Sequence, residues 1–87
     1  MSDLSDWRNR IDEIDRELVQ ILNKRADCVL NLAPLKRAQK MDVLDEVREE
    51  RVRSNIRSAN GGPLADDAVI EVIERVMAVM RELQKTR

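Results

Sequence analysis

An all-α fold of three helices is predicted by three features of this 87-residue sequence. Chain breakers are scarce, since two Gly and two Pro are too few for the many turns of a sandwich or barrel. Composition is lopsided: 38% of residues are charged, against a usual value of about 25%, and Trp7 is the only aromatic side chain. Apolar residues recur in steps of three and four through three segments, the repeat of a helix face. The length allows one domain, taken as residues 1–87, with no internal repeat or low-complexity tract.

The first segment carries Leu4, Trp7, Ile11, Ile14, Leu18 and Ile21, then Cys28, Leu32 and Leu35. This seam lasts for more than four heptads and predicts one helix over residues 4–40, about 50 Å long at 1.5 Å per residue. Three helices of one short chain cannot cover such a rod on all sides. Leu22, Val29 and Leu30 widen its apolar surface further, so a partner chain is expected. Pro34 interrupts the pattern, because inside a helix it deletes a hydrogen bond and clashes with the carbonyl of Leu30. A kink is expected there rather than a break, because the heptad phase continues to Leu35. The second helix is predicted from an N-cap at Asp42 to about Ser58. The third follows the breaker Asn60-Gly61-Gly62-Pro63, with the stripe Val69, Val72, Ile73, Val76, Met80 and Leu83. Asp66 and Asp67 fall in its first turn, where negative charge suits the helix dipole.

Several function classes are excluded by what is missing. Without His there is no imidazole triad, shuttle or metal ligand, and one cysteine, Cys28, builds neither an internal disulfide nor a thiolate zinc site. Cys28 sits on the seam and is expected to pack there. Sixteen basic against 17 acidic residues, a net charge of -1, argue against a nucleic-acid partner. No apolar run approaches the roughly 18 residues of a membrane helix, and the opening MSDLSD lacks signal-peptide features. A cytoplasmic protein with no membrane partner, metal or cofactor is the expectation.

The residues that break the apolar pattern carry the functional information. Arg25 occupies a seam position between Ile21 and Cys28, where it either faces a ligand or lays its stem on the core and sets register. Lys36 lies eleven residues after it and returns to within about 20° of its direction, whereas Arg8, seventeen before it, is turned about 100° away. Arg25 and Lys36, about 17 Å apart along the axis, can converge on one small ligand through their long side chains. Arg8 is about 25 Å away on the other side and reaches the same ligand only from an antiparallel partner chain; otherwise it is a solvated arginine. On the second helix Asp45 and Glu49 share a stripe with Val52 and Ile56, and Arg48 stands beside them. The trio reads equally as a salt-bridged surface face. Gln84 lies four residues after Met80 at the edge of the third stripe, as a half-buried amide needing a partner or as a surface residue of a helix end. Together these groups suit a dianionic ligand with hydroxyl or ether oxygens, and catalysis by positioned donors rather than by nucleophile or acid–base steps.

At this point the sequence resembles the all-helical chorismate mutase family, over nearly the whole chain from Leu4 to Gln84. Trp7-Arg8-Asn9-Arg10-Ile11-Asp12-Glu13-Ile14-Asp15 is similar to the family's opening "LR..ID.ID..L..LL..R", whose last arginine falls on Arg25. Lys36 follows at the family's spacing. Val43-Leu44-Asp45-Glu46-Val47-Arg48-Glu49 resembles the "V.D..RE" signature, and Gln84 falls on the terminal glutamine of the third helix.

The resemblance implies an intertwined homodimer with two shared sites that rearranges chorismate to prephenate. Arg8 of the partner and Arg25 would grip the substrate carboxylates, and Lys36 and Gln84 would hydrogen-bond the ether oxygen of the breaking bond. Glu49, with Asp45 nearby, would hold the ring hydroxyl, and Arg48 would complete the polar cage. Met80 stands where some members carry a small hydroxyl residue near a carboxylate, and Pro34 is unusual two residues before Lys36. A further expected partner is a larger shikimate-pathway enzyme. Two rival readings share the fold: an isochorismate-pyruvate lyase, from which the Asp45-Arg48-Glu49 signature leads away, and a non-catalytic regulatory helical dimer.

Overall fold

Residues 3–86 are described by the computed structural model; Met1 and Ser2 of the opening, and Arg87, lie outside the described residues. The order is α1 (Leu4–Ala38), α2 (Glu46–Ala59) and α3 (Asp66–Lys85), with no strand among the described residues. The three-helix chain with a long first helix is therefore as expected. α3 packs against both α1 and α2.

α1 begins with a capping box. The Asp3 carboxylate accepts from the Asp6 amide at 2.9 Å, and the Asp6 carboxylate accepts from the Asp3 amide at 3.2 Å. The helix runs through Pro34, which is exposed, and continues to Ala38, so the chain does not break at the proline. It stops two residues short of the expected end because a Schellman turn closes it. The Met41 amide donates to the Lys36 carbonyl at 2.8 Å and the Lys40 amide to the Arg37 carbonyl at 3.0 Å, with Lys40 at φ 57°.

The start of α2 corrects the sequence expectation. Its N-cap is Asp45, whose carboxylate accepts from the Arg48 amide at 3.0 Å, and not Asp42. The Schellman turn uses residues 39–41, and a bond from Lys36 to the Val43 carbonyl holds the connector on α1, so helical backbone resumes only after Asp45. At the other end Asn60 organises the turn into α3. Its amide caps α2 through the Ile56 carbonyl, its side-chain Nδ2 donates to the Leu64 carbonyl and the Asp66 carboxylate, and its Oδ1 accepts from the Gly62 amide. Gly62 has φ 78°, which a side chain would strain. Asp66 and Asp67 occupy the first turn of α3 as expected.

The core is small: Val29 and Ala33 of α1 against Ile70, Met77 and Met80 of α3. The covered face of α1 is thus one position off the heptad seam. Leu32 and Leu35 of the seam stay exposed, and Cys28, expected to pack, is exposed as well. The cause is that α3 lies over the neighbouring stripe of Leu22, Ala26, Val29 and Ala33, not over the seam. On α3 itself Val72, counted in the apolar stripe, is 59% exposed.

Leu4, Trp7, Ile11, Ile14, Leu18 and Ile21 all remain exposed along the first half of α1. The radius of gyration is 16.1 Å, against about 12 Å for a compact domain of this length. The accessible surface is 7138 Å², about 1,800 Å² more than a compact chain of this mass presents. Among the described residues no helix is long and apolar enough to cross a membrane.

Candidate active site

One pocket of about 240 Å³ lies where the second half of α1, the start of α2 and the second half of α3 meet. Each helix contributes residues at helical spacing. α1 gives Arg25, Cys28, Val29, Leu32 and Lys36; the α2 start gives Asp45, Arg48, Glu49 and Val52; α3 gives Met77, Met80, Arg81 and Gln84. The steps of three and four turn these side chains to one side of each helix. The walls are therefore apolar, with charged ends converging from three directions.

Of the residues singled out in the sequence, Arg25, Lys36, Asp45, Arg48, Glu49, Met80 and Gln84 all line this pocket. Arg25 is half-buried at its wall, beside Cys28 and Val29 of the same helix. Lys36 is half-buried, and its Nζ donates to the Val43 carbonyl at 2.7 Å. An ammonium carries three donors, so two remain for other acceptors. Asp45 uses Oδ1 as the α2 cap and keeps Oδ2. Met80 is buried, 6% exposed, and supplies apolar wall.

Gln84 is half-buried, and its Oε1 is buried with no hydrogen-bond partner among the described residues. An unpaired buried amide oxygen costs about 1–3 kcal/mol; a half-turn of the amide exchanges it for Nε2, which presents donors at that position instead. Arg8 is not brought to the pocket. It lies exposed on α1, about 25 Å along the axis from Arg25.

Arg81 was not found from the sequence. Its guanidinium makes an ion pair with the Glu49 carboxylate, and the two side chains are 28% and 17% exposed. The available signal was its position on α3, one residue after Met80 and three before Gln84, on the face those two define. With Arg81 the pocket holds four cations (Arg25, Lys36, Arg48, Arg81) and two carboxylates (Asp45, Glu49), a net charge of +2. Among the described residues neither Arg25 nor the Arg48 guanidinium forms an ion pair, so both are available to an anion.

A family model of chorismate mutase type II matches residues 7–85. The chain belongs to that family. Two curated relatives are bifunctional chorismate mutase/prephenate dehydratases. The one from Aquifex aeolicus is 25% identical over 89 residues, covering 98% of this chain and 25% of the relative. The one from Neisseria gonorrhoeae is 37% identical over 71 residues, covering 82% of this chain and 19% of the relative. The chain thus spans a quarter or less of the length of these relatives. Among solved structures, a chorismate mutase (form II) from Thermus thermophilus superposes with a TM-score of 0.90 at 21% identity, covering 94% of this chain and 93% of that one. At that identity the likeness speaks for the mutase fold.

Proposed function

We propose that this protein, as one domain, rearranges chorismate to prephenate in sites shared between two identical chains. The observation that carries the reading is the pocket itself. Residues from three helices, picked out in the sequence for a dianionic ligand with hydroxyl or ether oxygens, meet with Arg81 in one cleft whose excess charge is +2, inside a chain of the chorismate mutase type II family.

A unimolecular [3,3] rearrangement asks little of its host. The pocket has to hold a compact conformer with the reacting termini close, an orientational effect. It also has to stabilise the negative charge that builds on the ether oxygen as the C–O bond lengthens. Arg25 takes a substrate carboxylate, and Arg8 of a second chain takes part from across the dimer. Lys36 turns a free N–H to the ether oxygen while Val43 keeps the ammonium in place, and the Gln84 amide donates beside it. Glu49 accepts from the ring hydroxyl with the free oxygen of Asp45 nearby, and Arg48 closes the polar cage. Met80 offers contact where a hydroxyl residue would offer a hydrogen bond.

The second chain is supported by the uncovered half of α1. The six exposed apolar residues of its seam, and a surface about 1,800 Å² in excess of a compact chain, are what an intertwined partner would bury. Because both curated relatives join the mutase to a prephenate dehydratase, a larger enzyme that consumes prephenate is the partner proposed beyond the dimer.

Loss of chorismate absorbance with purified protein tests the reading, run beside isochorismate. Saturable decay to prephenate supports it. Pyruvate release from isochorismate without decay of chorismate would make the protein a lyase, and silence on both substrates would leave a helical docking module.

A further inference from the structure

Glu49 presents a physical problem. A half-buried carboxylate in a pocket for a dianion repels the ligand it is meant to help bind, unless its charge is compensated without blocking its acceptor oxygens. Arg81 supplies that compensation. It reaches from α3 to α2, between positions 32 residues apart in sequence, and its Nη1 donates to Oε2 of Glu49. Oε1 is left to accept another hydrogen bond. The pair is largely screened from water, and charge-assisted contacts of this kind hold geometry as well as charge.

We propose that Arg81 is a positioning residue, which presents the Glu49 carboxylate to the substrate hydroxyl and offsets its charge toward the substrate dianion. This rests on the functional reading above, in which Glu49 accepts from that hydroxyl. The hydroxyl takes no part in bond making or breaking, so Glu49 holds the substrate equally in ground and transition states. Interactions of that type act on KM and leave kcat nearly unchanged.

The test is a double-mutant cycle on chorismate turnover with Arg81→Met, Glu49→Gln and the pair together, with Arg81→Lys as the conservative variant and thermal melts of each. Arg81→Met is expected to raise KM about 10- to 100-fold with kcat within about threefold. Arg81→Lys should recover part of the loss. Because Arg81 acts through Glu49, the double variant should be no worse than the weaker of the two single variants.

Losses that multiply in the double variant would mean that Arg81 touches substrate directly, and would overturn the proposal alone. So would an unchanged KM with only a lower melting temperature, the mark of a strap between α2 and α3. A folded wild-type protein with no mutase activity would overturn the functional reading first, and this proposal with it.

Discussion

The Lys36 ammonium donates to the carbonyl of Val43 at 2.7 Å, seven residues ahead of it. This bond ties the end of α1 to the connector that leads into α2, and it fixes the cation beside the pocket just after Pro34. The backbone carbonyl of Lys36 also accepts the Schellman bond from Met41. One residue therefore closes the helix with its main chain and anchors the connector with its side chain. That double hold keeps Lys36 in register despite the hydrogen bond lost at the proline.

Lys36→Ala is expected to lower kcat on chorismate by about 100- to 1,000-fold, the usual cost of removing one donor to a developing oxyanion. Stability should fall by about 1–2 kcal/mol, since one charge-assisted bond to a carbonyl is lost. Steady-state kinetics and a denaturant melt separate the two effects. A variant that melts earlier but turns over normally would remove Lys36 from the chemistry.

Asn60 makes its contacts far from the pocket, to Leu64, Asp66 and Gly62, so its role is confined to the turn between α2 and α3. Asn60→Ala should destabilise the protein by about 1–3 kcal/mol, because three solvent-exposed hydrogen bonds that hold the turn are lost, each worth about 0.5–1.5 kcal/mol at most. Turnover per folded molecule should stay at the wild-type level. Urea melts alongside activity below the transition check this, and an activity loss without a shift in midpoint would contradict it.

Much of the fold and part of the candidate site were legible because they depend on one helix at a time. Arg25 and Lys36 are eleven residues apart on α1, and helical geometry alone puts them on one face of it. Asp45, Glu49 and Val52 obey the same rule on α2, as do Met80 and Gln84 on α3. The features that escaped need two elements at once. Arg81 shares its helix face with Gln84, yet its partner Glu49 sits on another helix, and no local spacing joins them. The choice between Asp42 and Asp45 as cap depends on the bond from Lys36 that holds Val43 against α1. Cys28 lies exposed because α3 covers Val29 and Ala33 beside it, a choice of stripe that periodicity leaves open.

Lys40 occupies the left-handed position of the Schellman turn at φ 57°, where most helices of this ending place glycine. A lysine there carries a steric cost of about 1 kcal/mol that glycine avoids. Lys40→Gly is therefore expected to raise stability by about 0.5–1 kcal/mol with kinetics unchanged, read from the shift in denaturation midpoint. A drop in midpoint would show that the side chain of Lys40 contributes more than its backbone costs.

Arg8 and Lys36 supply the sharpest test of a shared site, because the reading assigns them to different chains at each pocket. Arg8→Ala and Lys36→Ala should each be nearly inactive alone. In a mixed dimer, the Arg8→Ala chain keeps Lys36 and the Lys36→Ala chain keeps Arg8, so one pocket is rebuilt whole and the other carries both losses. Random reassortment of equal amounts makes half the dimers mixed, so about a quarter of the wild-type activity should return. Recovery requires exchange of chains, so it should appear after unfolding and refolding the mixture together and not on brief mixing of preformed dimers. Trp7 sits one residue from Arg8 and is the only indole in the chain, so its fluorescence reports the same assembly. Co-refolding that restores the dimer signal of Trp7 but no activity would place Arg8 and Lys36 in the same chain's site, whereas an Arg8→Ala variant active on its own would place Arg8 in none.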